Sequence, residues 1–197
     1  MRTIVLLLVL VASLILAAPA AHAIPITFAA VLSGPLESPP NASPGTGQTT
    51  VVVDAAAHSL IVDVTFSGLV APTTASHIHC CVAPPGTAGV ATTTPTFPNF
   101  PLGVTSGTYH QSFDLTLASS YNPAFVTANG GVGGAEAALE TGILAGNSYL
   151  NIHSQTFPNG EIRGFLVRVP APATLLLLGT SLAGLGGIAA CRGRARS

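Results

Sequence analysis

No lysine and no tryptophan occur among the 197 residues, there is a single methionine, and only 7% of the chain is charged. The lack of lysine excludes Schiff-base catalysis and the Gly-Lys-Ser/Thr phosphate loop. Positive charge is also missing from the middle of the chain. Arg2 stands at the start and Arg192, Arg194 and Arg196 at the end. From Ile24 to Val169 seven acids face only Arg163 and Arg168, a net charge of −5. A body of that sign cannot neutralise phosphates, so nucleic-acid binding is excluded. No serine-histidine-acid set and no paired carboxylates are legible.

The two ends read as addresses. Met1-Arg2-Thr3 precedes an apolar run from Ile4 to Ala18, followed by Pro19 and Ala21-His22-Ala23. A charged start, an apolar stretch and a small-x-small site predict a signal helix over residues 1–23, cleaved after Ala23. The run of about 15 residues falls short of the roughly 20 that cross a bilayer. At the other end, Ala173 to Cys191 is uncharged. At about 1.5 Å per residue it reaches about 28 Å, close to the hydrocarbon thickness, and predicts a transmembrane helix. The arginines over 192–197 would stay cytoplasmic, with the body outside.

Between the addresses the chain reads as short strands. Leu60-Ile61-Val62-Asp63-Val64-Thr65-Phe66 is apolar at every even position, the period of a half-buried strand. Further strands are predicted over 27–32, 49–54, 76–82, 107–117, 148–157 and 161–169. Residues 121–140 predict one or two short helices, with Pro123 near a first helical position. The last hairpin is predicted to turn on Pro158-Asn159-Gly160, a three-residue loop pairing Phe157 with Glu161, Gln155 with Arg163 and His153 with Phe165. That register puts Leu150, Ile152, Ile162 and Leu166 on one face. Asn151, His153, Gln155, Glu161 and Arg163 take the other, with Glu161 and Arg163 as an exposed ion pair or network. The fold class expected is all-β, an Ig-like or Greek-key sandwich with a short helical insert.

His77-Ile78-His79 carries the sharpest chemistry. On a strand, residues two apart point the same way, so both imidazoles can reach one Zn or Cu ion while Ile78 enters the core. His153 follows Ile152 by the same logic and would supply a third ligand. Hydrogen bonding on a polar face is the competing reading. Cys80-Cys81 leaves three alternatives open: a vicinal bridge, pairing with another chain, or metal ligation beside His79, with a buried inert thiol the bland reading for Cys80. His58 and His110 stand alone and read as surface residues.

Val169-Pro170-Ala171-Pro172-Ala173-Thr174-Leu175, the apolar stretch and the arginine tail together resemble a PEP-CTERM sorting signal over 169–197. The resemblance implies a bacterial protein, an exosortase-type membrane protease as partner, and passage through or residence in the inner membrane. Where the family has Glu this chain has Ala171, so retention of the anchor is implied if the protease needs that carboxylate. Ser33-Gly34-Pro35-Leu36-Glu37-Ser38-Pro39-Pro40, Ser67-Gly68-Leu69, Ala75-Ser76-His77-Ile78-His79, Tyr149-Leu150-Asn151-Ile152-His153 and Gly160-Glu161-Ile162-Arg163-Gly164 resemble the CHRD domain, over about 26–167. That implies a secreted β-rich module. The expected function is an exported, cell-surface or matrix-associated, non-catalytic module, with exopolysaccharide or surface proteins as candidate partners. The alternative is a secreted Cu- or Zn-binding protein, open to redox activity, using His77, His79 and His153.

Overall fold

The computed structural model describes residues 24–170. The expected signal helix with its Ala23 site, and the sorting segment from Ala171 through Pro172 and the apolar stretch, lie outside the described residues. Among those described, no helix is long and apolar enough to cross a membrane.

The chain runs β1 (Ile26–Ser33), β2 (Thr46–Asp54), β3 (Ser59–Ser67), β4 (Thr73–Cys80), β5 (Gly107–Asp114), α1 (Pro123–Ala128), α2 (Val132–Leu144), β6 (Ser148–Ser154), β7 (Ile162–Phe165) and β8 (Val167–Arg168). The strands form one antiparallel sheet in the order β4-β6-β7-β1-β2-β3-β5, with β8 beside β1. Alternation builds it. Leu60, Val62, Val64 and Phe66 of β3 are all buried, and β3 pairs along its whole length with β2. One apolar cluster takes Ile78, Leu150, Ile152 and Ile162 from one end of the sheet and Val62, Tyr109 and Phe113 from the other. The sheet therefore curls round a single core. The all-β expectation is met in a sandwich-like form whose hydrogen bonding runs unbroken from β4 to β5.

The long connection after β4 closes the curl. Its backbone pairs with the outer edge of β4, through Ala91 N to Ile78 O at 3.0 Å and Phe97 N to Ser76 O at 3.0 Å. The Phe97 ring meanwhile stacks on Tyr109 of β5, with centroids 5.5 Å apart. An edge that would otherwise offer unpaired groups to another chain is thus covered. The two helices lie where Pro123 and the Ala/Leu pattern place them. Asn122 caps α1 by accepting from Ala124 N at 3.0 Å. Ala135, Leu139 and Ile143 form the buried stripe of α2.

The last hairpin differs from expectation. Ile152 pairs with Ile162, Asn151 with Arg163 and Tyr149 with Phe165, four residues away from the predicted register. The cause is local satisfaction of the turn. Ser154 Oγ accepts from Phe157 N at 3.3 Å, and Gly160 N donates to Phe157 O at 3.0 Å. Gln155 N leaves the ladder for Pro72 O at 3.1 Å. A slip of four preserves the faces, because side chains alternate with period two.

A second correction concerns what the polar face meets. Glu161 and Arg163 do not form an exposed pair: they are 0% and 1% exposed and bond to different partners. Glu161 accepts from Ser43 Oγ at 2.6 Å and from Val70 N at 2.7 Å. Arg163 donates to the carbonyls of Leu36, Pro85 and Gly86, and its Nε lies 3.8 Å from Glu37. The loops after β1 and β4 supply these acceptors and lie over the face, so it is a second, polar interior rather than a solvated surface.

Candidate metal centre

His77 and His79 leave β4 on this covered face, while Ile78 between them is fully buried on the other. Strand β6 pairs His77 with Asn151 and His79 with Tyr149, so His153 falls opposite the small Ala75 and diagonal to His77. The structure therefore brings the three histidines together. Ring centroids lie 5.9 Å apart for His77–His79, 5.2 Å for His77–His153 and 6.1 Å for His79–His153. One ring nitrogen from each lies within 4.8 Å of one from each of the others.

Each ring is held by one backbone carbonyl. His77 Nε2–H donates to Pro95 O at 2.6 Å, His79 Nδ1–H to Ala88 O at 2.8 Å and His153 Nδ1–H to Pro158 O at 3.0 Å. A carbonyl only accepts, so each bond fixes the tautomer and leaves a lone pair on the other nitrogen. Those other atoms, His77 Nδ1, His79 Nε2 and His153 Nε2, are all buried without a hydrogen-bond partner. His77 and His79 are 6% and 9% exposed. His153 is half-buried, the most open of the three. Burial pushes His77 and His79 down to about 4, against the opposing pull of their carbonyl bonds, and lowers His153 in the same way. All three are neutral at pH 7, the form that ligates metal. Ligation through a carbonyl-oriented imidazole is the usual support for such rings.

Behind His79 stands a stack that the sequence did not reveal. The Tyr149 ring lies parallel to His79, 5° off, at 4.8 Å. Its hydroxyl meets Ala88, accepting from N at 3.2 Å and donating to O at 3.3 Å, the same carbonyl that orients His79. Arg163 packs over Tyr149 at 4.8 Å. The only signal for this was strand alternation, which put Tyr149 and Arg163 on the histidine face without showing that loops cover it.

Cys80 and Cys81 are bonded to each other as a vicinal disulfide, so neither is a free thiol or a metal ligand in this structure. Gly142 of α2 faces the bridge, where a Cβ would run into both sulfurs. His58 and His110 take no part in the centre. They pair with Glu136 at 2.7 Å and Asp63 at 2.6 Å on the surface.

A family model for the CHRD domain matches residues 28–166, well over half of the chain. The chain belongs to the CHRD-domain family. CHRD domains are typical of extracellular or secreted proteins and suggest a non-catalytic module. No curated protein and no solved structure matches the chain. The CHRD match includes β4 and β6, and with them all three histidines of the centre.

Proposed function

We propose that this CHRD protein is an exported cell-surface module that acts by binding one copper or zinc ion through His77, His79 and His153. The observation that carries the reading is the set of three buried, unpartnered ring nitrogens, each left free by a carbonyl on its sister nitrogen. Zinc in a tetrahedral nitrogen site holds its ligands about 3.3–3.4 Å apart, from bonds of about 2.0–2.1 Å. One nitrogen from each ring lies within 4.8 Å of one from each of the others, so closing to that spacing takes a movement of roughly 1 Å on binding. Titration of the metal-free protein with Cu or Zn, followed by elemental analysis after desalting, is expected to give one ion per chain. His79→Ala removes it. Full retention of metal in His79→Ala would overturn the site.

The export reading rests on the leader with its Ala23 site and on the acidic, lysine-free body. The tail from Pro170-Ala171-Pro172 supports recognition by an exosortase-type protease, after transient anchoring through residues 173–191. Exopolysaccharide or surface proteins are the partners that location offers. The curled sheet is grouped here with the Ig-like, Greek-key sandwiches, on the support of its single core. Intact mass of the surface form tests the whole address: a chain beginning at Ile24 and ending near Pro172 is expected. A cytosolic chain retaining Met1 would defeat export, and one retaining Arg194 would defeat processing.

A further inference from the structure

We infer that the three-histidine centre is matched to monovalent copper, Cu(I), over divalent zinc, because every donor is a neutral nitrogen and the guanidinium of Arg163 is packed behind the His79 ring by way of Tyr149. The inference rests on the metal-site reading above and narrows it to one ion.

The ligand set comes first. Among the described residues the group that can hold an ion consists of His77, His79 and His153, with no carboxylate or thiolate joining them. An all-nitrogen set is unsuited to calcium, magnesium or manganese, which take oxygen, and leaves copper and zinc as the principal candidates. Carbonyl backing is common to metal-bound imidazoles, so what separates the two ions is the charge the next shell supplies. Zinc-bound imidazoles are often backed by carboxylates, which raise ligand basicity and return negative charge to the site. Here all three backing groups are carbonyls, those of Pro95, Ala88 and Pro158. Beyond His79 lies the face of Tyr149, and beyond that the guanidinium of Arg163, which is itself fully buried. The carboxylate beside Arg163 is Glu37, at 3.8 Å, so this pair contributes a charge between zero and +1 and never a negative one.

Placing an ion in such surroundings costs desolvation that grows as the square of its charge, so a divalent ion pays roughly four times what a monovalent ion of like size does. Arg163 adds repulsion that doubles with the ion's charge. A divalent ion would need an added anion or hydroxide to offset both. Cu(I) needs neither, since three neutral nitrogens complete a low-coordinate shell.

The test is competition on the full-length protein. Under anaerobic ascorbate, Cu(I) is titrated against bathocuproine disulfonate, and Zn(II) separately against a colorimetric zinc chelator. The same is done for His79→Ala and His153→Asp. The expected result is one Cu(I) per chain, bound at least about tenfold tighter than Zn(II), and lost in His79→Ala. His153→Asp, which puts an anionic oxygen into the most open ligand position, shifts the ratio toward Zn(II) by at least about tenfold. If Zn(II) binds as tightly as Cu(I) and both are lost in His79→Ala, the charge argument is wrong and the three-histidine site stands. If the ratio does not move in His153→Asp, the charge argument is again overturned. If neither ion binds, or binding survives in His79→Ala, the inference and the site fall together.

Discussion

Acidifying the metal-free protein from pH 7 to pH 5 should destabilise it through the histidine centre, by an amount that can be worked out. His77 and His79 have an ordinary value of 6.5 and are pushed down to about 4 by burial. The unfolded chain therefore takes up protons below 6.5 while the folded chain refuses them until about 4. Stability contributed by the neutral rings is present above 6.5 and is lost as pH falls through that window. Each ring costs about 1.4 kcal/mol per pH unit there, so the two together cost about 4 kcal/mol at pH 5. His153, also lowered by burial, acts in the same direction. Glu37 opposes them. Burial raises it from 4.5 to about 7, so its folded form gains a proton first and regains about 2 kcal/mol over the same interval. His77, His79 and Glu37 together leave a net loss of about 2 kcal/mol, which for a domain of this size lowers the melting temperature by roughly 4–8 °C. Urea unfolding at pH 7 and pH 5 measures it directly. His79→Gln removes one of the two large contributions and should flatten the dependence. Stability that is level or rising between pH 7 and pH 5, or a dependence unchanged in His79→Gln, would refute the assignment of buried neutral rings. At His77 and His79 the same low values mean that protons compete with metal near pH 4 rather than at the 6.5 of a surface ring, and burial moves His153 in the same direction.

Three further substitutions probe the packing around the centre. Gly142→Ala should destabilise by about 1–3 kcal/mol, because the new Cβ meets both sulfurs of the Cys80–Cys81 bridge. Gly133→Ala, in open space on the same helix, should be neutral or stabilise by up to about 1 kcal/mol. Equal effects of the two in chemical denaturation would deny the contact. Arg163→Met leaves the carbonyls of Leu36, Pro85 and Gly86 without their donor and Glu37 without its cation, and should cost about 3–5 kcal/mol by urea unfolding. A loss under about 1 kcal/mol would show that the guanidinium is better solvated than its burial indicates.

Much of the fold was legible because apolar alternation is strong where strands are regular. In β3 the even residues Leu60 to Phe66 are the buried ones, and in β4 and β6 the isoleucines at 78 and 152 enter the core. Burial of those isoleucines, worth roughly 1.5–3 kcal/mol each, forces His77, His79 and His153 onto the opposite face. What alternation cannot show is what lies against that face. The polar character of Asn151, Glu161 and Arg163 argued for water. The structure instead satisfies them with loop groups whose own sequence, rich in proline and threonine, carries no periodic signal. The carbonyls of Pro95, Ala88 and Pro158 do the orienting, and a backbone acceptor has no residue type by which to be recognised. The Tyr149–Arg163 stack was hidden for the same reason, since each residue reads as an ordinary member of a polar face until the covering loops are in place.

The β6–β7 hairpin separates what the apolar pattern determines from what the turn determines. Burial of Leu150, Ile152 and Ile162 fixes which side chains face inward, and registers differing by an even number of residues satisfy it equally. The choice between them falls to the polar groups of the turn. Ser154 is central there: it is fully buried, its Oγ accepts from Phe157 N, and its N donates to Phe157 O at 3.3 Å. Through that bend Pro158 is carried to the carbonyl position that orients His153. Ser154→Ala removes the acceptor of a half-buried N–H and should cost about 1–2 kcal/mol, while Ile152 and Ile162 keep the faces unchanged. The loss should therefore be expressed at the metal centre as well as in stability, because the His153 ring loses its support. Metal affinity is expected to fall while the circular dichroism of the sheet is retained. Unchanged affinity together with reduced stability would mean that Pro158 holds His153 independently of the turn, and that the register, once formed, does not depend on Ser154.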